Sequence, residues 1–370
     1  MELLTSDLGQ SLNYVFRNGF QLNQHFYSCE GVDGFASGQP RQYLGTYFMT
    51  VGFILLASKL GSRHIVLHII YIPCLIVIAR SDLMKSSCYK IMVCLGLLDI
   101  CCILTNSVAT GFLGFVGATF CSYPFFIFFM GSLGCGCWMG SCASCILLGI
   151  NRCCDVNQHL RIRTIFIGRK MYLTISIPIL YTIYSTFFTK PILFNSNYMS
   201  WFFNPMLPGH EASDYINIAH TINNCVVSMA TTSIYAYLCI LLFAKSKHFR
   251  SESISKTQTQ IFFQSVLICS FNAIAAYIYV YMQFFYSPPE VVLIGQLAWQ
   301  CAHGSVCLIY ITMNKTVRRG VIDLVVPRVI RDQARIGTNR TTISRPILSV
   351  VGVDAKLGTT RTGTSSGTVF

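Results

Sequence analysis

A chain of 370 residues in which 53% are hydrophobic and only 11% charged lacks the surface of a soluble globular protein, where about a quarter of the residues carry charge. The formal net charge of +13 would suit a nucleic-acid binder only if it formed a basic face on a soluble domain; here it is spread over loops and a tail, so no nucleic-acid partner is expected. The apolar residues fall into runs of roughly 20, the length a helix needs to cross about 30 Å of hydrocarbon. Membrane lipid is therefore the expected surrounding.

Residues 1–42 read as a polar segment outside the membrane, with Glu2, Asp7, Asn13, Arg17 and Asn18 scattered through them. Neither a basic start nor an early apolar stretch marks a cleavable signal. Residues 43–314 hold the apolar runs, predicted as spans near Tyr43–Ile78, Ile91–Gly114, Tyr123–Ile150, Met171–Phe188, Ile218–Ala244, Ile261–Phe285 and Val291–Met313. Backbone polar groups must be satisfied within lipid, so these runs are helices, and the fold class is an all-α bundle of seven transmembrane helices.

The first of these runs is irregular: Lys59, Arg63, His64 and His68 interrupt it. Without Ser58–Ile70, Gly45–Ala57 would join Tyr71–Ile78 as one ordinary span. His64 and His68 at i, i+4 spacing make a poor metal site without a cysteine or carboxylate nearby. Beyond the last run, residues 315–326 form an amphipathic helix, with Val317, Val321, Leu324 and Val325 on one face and Lys315, Arg318, Arg319 and Asp323 on the other. Residues 327–370 are expected to be a disordered tail with sites such as Ser344, Thr364, Ser365 and Ser366 for phosphorylation.

Lysine and arginine collect on the cytoplasmic side of short loops. Arg80, Lys85 and Lys90 follow the first run; Arg152, Arg161, Arg163, Arg169 and Lys170 follow the third; Lys245, Lys247, Arg250 and Lys256 follow the fifth, and the tail adds more. The opposite face has Arg17, Arg41 and Lys190. The amino terminus is thus expected outside and the carboxyl terminus inside.

Three groups of residues carry chemistry. Asp99 is the only carboxylate within a run; a charge at that depth needs partners or water. It reads either as a polar hub, cation-binding or otherwise, helped by Asn106 and Ser107, or as a protonated acid bonded to a neighbouring Ser or Asn. The last run adds Gln296, Trp299, Gln300, His303 and Ser305 at roughly helical spacing; Trp299 and His303 extend the hub, with simple packing of His303 as the other reading. In Asn151-Arg152-Cys153-Cys154-Asp155 an arginine and a carboxylate three residues apart share a helix face. That is a basis for a G-protein switch; the plain reading is a positive anchor.

Most of the 18 cysteines lie within the runs, where they act as small packing residues. Cys142 and Cys145 are C-x-x-C on a membrane helix and give no metal or redox site. Cys153 and Cys154 are placed for palmitoylation. Cys29 and Cys121 alone fall clearly in outside segments, an oxidising compartment, so the expected disulfide joins them. The sequons at Asn314 and Asn339 fall on the inner side and should stay unglycosylated.

Taken together, Tyr71-Ile72-Pro73-Cys74-Leu75, Cys88-Tyr89-Lys90-Ile91-Met92, Leu95-Gly96-Leu97-Leu98-Asp99, Asn106-Ser107, Phe120-Cys121, Asn151-Arg152 with Asp155, His303-Gly304, Ile309-Tyr310 and Asn314-Lys315-Thr316-Val317-Arg318 resemble the nematode serpentine receptors of class T. The resemblance implies a chemosensory receptor in the plasma membrane of sensory cilia, with an environmental small-molecule ligand and a heterotrimeric G protein as partners. Two features depart: Ser58–Ile70 splits a span the family runs unbroken, and the last run has no Asn-Pro-x-x-Tyr. A transporter or channel is the competing reading, but it predicts internal repeats and broken helices, and the two halves show no similarity. An enzyme would need H-E-x-x-H, G-x-S-x-G or a comparable cluster; none occurs, and neither a catalytic residue nor a cofactor is expected.

Overall fold

The computed structural model describes residues 9–56, 71–248 and 256–325. The stretch around Lys59 to His68 and the tail from Val326, with its serines and threonines, lie outside the described residues. The helices are α1 (Leu12–Arg17), α2 (Gln24–Tyr27), α3 (Gln42–Leu56) and α4 (Tyr71–Arg80), then α5 (Ser87–Val116), α6 (Pro124–Val156), α7 (Lys170–Phe188), α8 (Ile218–His248), α9 (Lys256–Phe284), α10 (Pro289–Met313) and α11 (Lys315–Val325). Six of them, α5 to α10, are long and apolar enough to cross a bilayer, and their ends fall within a few residues of the predicted spans.

The predicted first span is divided between α3 and α4. Both pack on α5, α3 along its later part and α4 along its beginning. Where α3 meets α5, Gly45 abuts the backbone of Gly111 and Phe115, and Gly52 abuts Val108 and Ser107. Tyr71 and Leu75 of α4 fill the space over Gly96, nearer the start of α5. The two short helices therefore follow one another along a single neighbour.

At the centre stands α6, in contact with α5, α7, α8 and α9. Lipid gives no hydrophobic drive for helices to associate, so close approach through small residues takes its place. A Cβ on Gly140 would lie 1.8 Å from the Thr182 hydroxyl of α7, and one on Gly136 would lie 1.9 Å from that of Thr186. Gly140→Val is expected to force the two helices apart, at about 1–3 kcal/mol for an overpacked contact. The check is fluorescence-detected size-exclusion chromatography: the monodisperse fraction should fall several-fold, and an unchanged profile would show that α7 can move away freely.

One end of the bundle is roofed. Residues Leu193–Asn195 (β1) pair antiparallel with Ser200–Phe202 (β2), in the register Leu193↔Phe202, Phe194↔Trp201 and Asn195↔Ser200. Met199 closes the turn in a left-handed backbone, with φ 52°. Both strands are buried apart from partly exposed Phe202. At the same end Cys29 and Cys121 are joined in a disulfide, with Cα atoms 5.5 Å apart, and Tyr215 donates to the Phe26 carbonyl at 2.6 Å. Burial, with Asp214 beside it, pushes the Tyr215 phenol up to about 12, so it remains a neutral donor at physiological pH.

The opposite end carries α11, seated on α4 and α10. Val317 and Val321 are buried, whereas Leu324, assigned by sequence to the same face, is 49% exposed; the helix presents a narrower apolar strip because it rests on protein. Cys153 and Cys154 are also buried, so the palmitoylation expected from their position has no surface thiol to use here. Asn314 of the first sequon is 4% exposed and donates to the Tyr89 hydroxyl at 2.6 Å.

Candidate functional site

Under the hairpin lies a cavity of about 150 Å³ bounded by α6, α8, α9, α10, β2 and the flanking Ile192 and Phe203. Its wall contains all three tryptophans of the chain, Trp138, Trp201 and Trp299. Phe202, Phe203, His220 and Tyr279 add further rings. These meet edge to face, Trp138 with Tyr279 at 5.5 Å and Phe203 with His220 at 5.0 Å between centroids, the arrangement that ring quadrupoles favour. Among the described residues no Asp, Glu, Lys or Arg lines the space.

From the cavity wall a column of polar groups descends between α5 and α10. The Trp201 indole donates to the Thr110 hydroxyl at 2.8 Å, and Ser200 donates to the Gln296 carbonyl at 3.4 Å. Gln296 Nε2 donates to the Asn106 carbonyl at 3.0 Å, while Gln300 Nε2 donates to Ser107 Oγ at 2.9 Å. Residues Leu104–Ala109 make this possible: they form a π-helical turn within α5, which widens the helix, and such turns gather at functional sites. Lower down, His303 Nδ1 lies 2.6 Å from Asp99 Oδ1, and the Tyr71 hydroxyl donates to Asp99 Oδ2. All three residues are essentially inaccessible to solvent.

The sequence-chosen residues Asp99, Asn106, Ser107, Trp299 and His303 thus share one column, though not as first grouped. Asn106 and Ser107 do not bond to Asp99; they hold the glutamines of α10 and the Trp299 carbonyl, which accepts from Asn106 Nδ2 at 3.4 Å. Asp99 is satisfied by side chains from α10 and α4 instead. Tyr71 was missed because sequence alone gives no reason to pair it with a residue on another helix, and the hairpin because short strands in a loop leave no long periodic signal.

Removing the acid while leaving its partners should be costly. Asp99→Ala orphans the Tyr71 hydroxyl and His303 Nδ1, and each buried polar group left unpaired costs about 1–3 kcal/mol. The expected result is a melting temperature lower by about 10 °C in detergent, with Asp99→Asn milder because an amide keeps hydrogen-bonding capacity. Equal melting of the Ala variant and the parent protein would remove Asp99 from the list of structural keystones.

At the far end of the bundle Asn151 donates to Ser87 Oγ at 2.9 Å. Arg152 donates to Asn151 Oδ1 at 2.6 Å and pairs with Asp155 at 2.7 Å. Its side chain is 7% exposed, against 49% for Asp155, and its Nε has no partner. The three residues predicted as a switch are together, with the arginine folded inward.

The chain matches the family model of the serpentine-type seven-transmembrane G-protein-coupled chemoreceptors, Srt, over residues 10–334. It belongs to the Srt family. The Srt assignment is accompanied by similarity to serpentine receptor class T-55 of Caenorhabditis elegans, 28% identical over 303 residues and covering 80% of each chain. Squid rhodopsin can be superposed on 76% of the Srt chain, covering 84% of its own, at 11% identity and a TM-score of 0.49. By the family match, the protein is a multi-pass, GPCR-like member of a chemoreceptor family.

Proposed function

We propose that this Srt protein is a G-protein-coupled chemosensory receptor, that an environmental small molecule binds in the roofed cavity, and that Asn151, Arg152 and Asp155 form the switch facing a heterotrimeric G protein. The observation that carries the reading is the polar column: hydrogen bonds from Trp201 in the cavity wall and from the adjacent Ser200 pass through Thr110, Gln296 and Asn106, next to the Gln300–Ser107 bond. A molecule that shifts α10 must break or re-form those bonds, which gives the helix discrete alternative positions. The membrane is the plasma membrane, with residues 1–42 and the hairpin outside and α11 and the tail inside, in line with the basic loops; sensory cilia are the natural site for such a detector.

The test uses cells expressing the full chain with calcium and cyclic-nucleotide reporters, screened against volatile and water-soluble small molecules. Cys135 is buried in the cavity wall, and Cys135→Phe adds a ring to the cavity. Responses should disappear in that variant while surface expression remains. Responses that persist in it would move the ligand elsewhere, and currents that persist in cells lacking G-protein α subunits would favour a channel.

A further inference from the structure

The cavity wall is built almost wholly of rings and aliphatic side chains, and its few polar groups are nearly all committed. The Trp138 indole N–H donates to Asn224 Oδ1 at 2.9 Å, and that of Trp201 to Thr110 at 2.8 Å. Gln296 uses both ends of its amide, donating to Asn106 and accepting from Ser200. Asn224 Nδ2 lies 3.4 Å from both His220 ring nitrogens and, being a donor, can satisfy only the one that accepts, while the Tyr279 hydroxyl donates to the Gly295 carbonyl at 3.4 Å. Gln283 is exposed.

Trp299 differs. It is 3% exposed and its Nε1 is buried without a hydrogen-bond partner. An indole nitrogen can only donate, and buried donors are nearly always paired. Trp299 lines the cavity, but its Nε1 is closed to water, so a ligand meets that donor only as the ring turns toward it.

We propose that the ligand is a small uncharged molecule bearing a hydrogen-bond acceptor, of the class of ketones, aldehydes and esters, and that the Trp299 indole N–H donates to that acceptor. This rests on the cavity being the ligand site. Size sets the scale, since an apolar cavity of about 150 Å³ holds a molecule the size of benzene. Charge is excluded by the wall, because an ion without a counter-charge would lose its hydration and gain nothing in return. The acceptor follows from Trp299: a hydrocarbon leaves its N–H unpaired in the bound state, whereas a carbonyl oxygen satisfies it.

Cyclohexanone and methylenecyclohexane provide the probe pair, alike in shape and differing by a carbonyl oxygen against a methylene. Binding to the full receptor in lipid discs is followed by saturation-transfer NMR, with empty discs correcting for partition into lipid and Cys135→Phe reporting occupancy of the cavity. The wild-type protein should bind the ketone about tenfold more tightly than the alkene. Trp299→Phe should bring the two within about twofold. If ketone and alkene bind the wild type equally, or if the preference survives in Trp299→Phe, the acceptor assignment is overturned while the cavity reading stands. Should the variant fail to fold, the wild-type preference alone decides. If neither probe binds, or if Cys135→Phe binds them as the wild type does, the cavity reading falls and takes this proposal with it.

Discussion

Arg152→Ala is expected to remove most ligand-stimulated nucleotide exchange, and Asp155→Asn to raise exchange in the absence of ligand. The two variants act on one interaction from opposite sides. Arg152 is held inward by Asp155 at 2.7 Å and by Asn151 at 2.6 Å, so its guanidinium is withheld from any partner at that end. Asp155 is half-exposed, and solvent screening keeps such a pair near 1 kcal/mol. Losing it shifts a two-state equilibrium about fivefold, which sets the expected rise in basal exchange. Arg152→Ala instead removes the group proposed to meet the G protein, and ligand affinity should change only modestly, through reciprocal coupling. Arg152→Lys should insert normally but recover part of the signal, because an ammonium lacks the planar fork of donors. The assay is purified receptor in lipid discs with G protein and labelled nucleotide; unchanged exchange in Arg152→Ala would reduce the residue to a positive anchor.

Deleting Ser58–Ile70 should raise surface expression several-fold and leave ligand responses intact. The buried positions of α3 are Gly45, Phe48, Gly52 and Leu55, and those of α4 include Tyr71, Cys74, Leu75 and Ile78. After the deletion Tyr71 falls three residues beyond Leu55, so the steps of three and four continue without a break and a single face stays buried. The 15 residues of α3, Ala57 and the 10 residues of α4 would then make a helix of about 39 Å, enough to cross a bilayer. Lys59 and Arg63 would leave the span as well. Quantitative flow cytometry on tagged receptors gives the comparison; loss of expression on deletion would make the segment a necessary part of the protein.

Which parts were legible follows from which signals are local. A membrane helix announces itself through a run of apolar residues, so α5 to α10 were found within a few residues of their ends. Asp99, Asn106, Ser107, Trp299 and His303 stood out because a polar group in lipid needs a reason to be there. Their grouping did not, since Tyr71 meets Asp99 from α4 and Gln300 meets Ser107 across two helices. The π-helical turn that aims Asn106 and Ser107 toward α10 leaves no mark in composition or spacing. Burial of Cys153 and Cys154 was likewise hidden, because it depends on what α6 packs against and not on how close those residues stand to Arg152.

Every indole in this protein borders the same small space. When excitation is confined to tryptophan, the emission of the unlabelled protein therefore comes wholly from the cavity wall, with no distant indole diluting it. Arrival of a carbonyl compound, a collisional quencher of indole, would be read as a loss of intensity, and Trp299→Phe would isolate the contribution of the other two rings. Ligands could thus be screened optically on native receptor, with no dye attached and no signalling partner present.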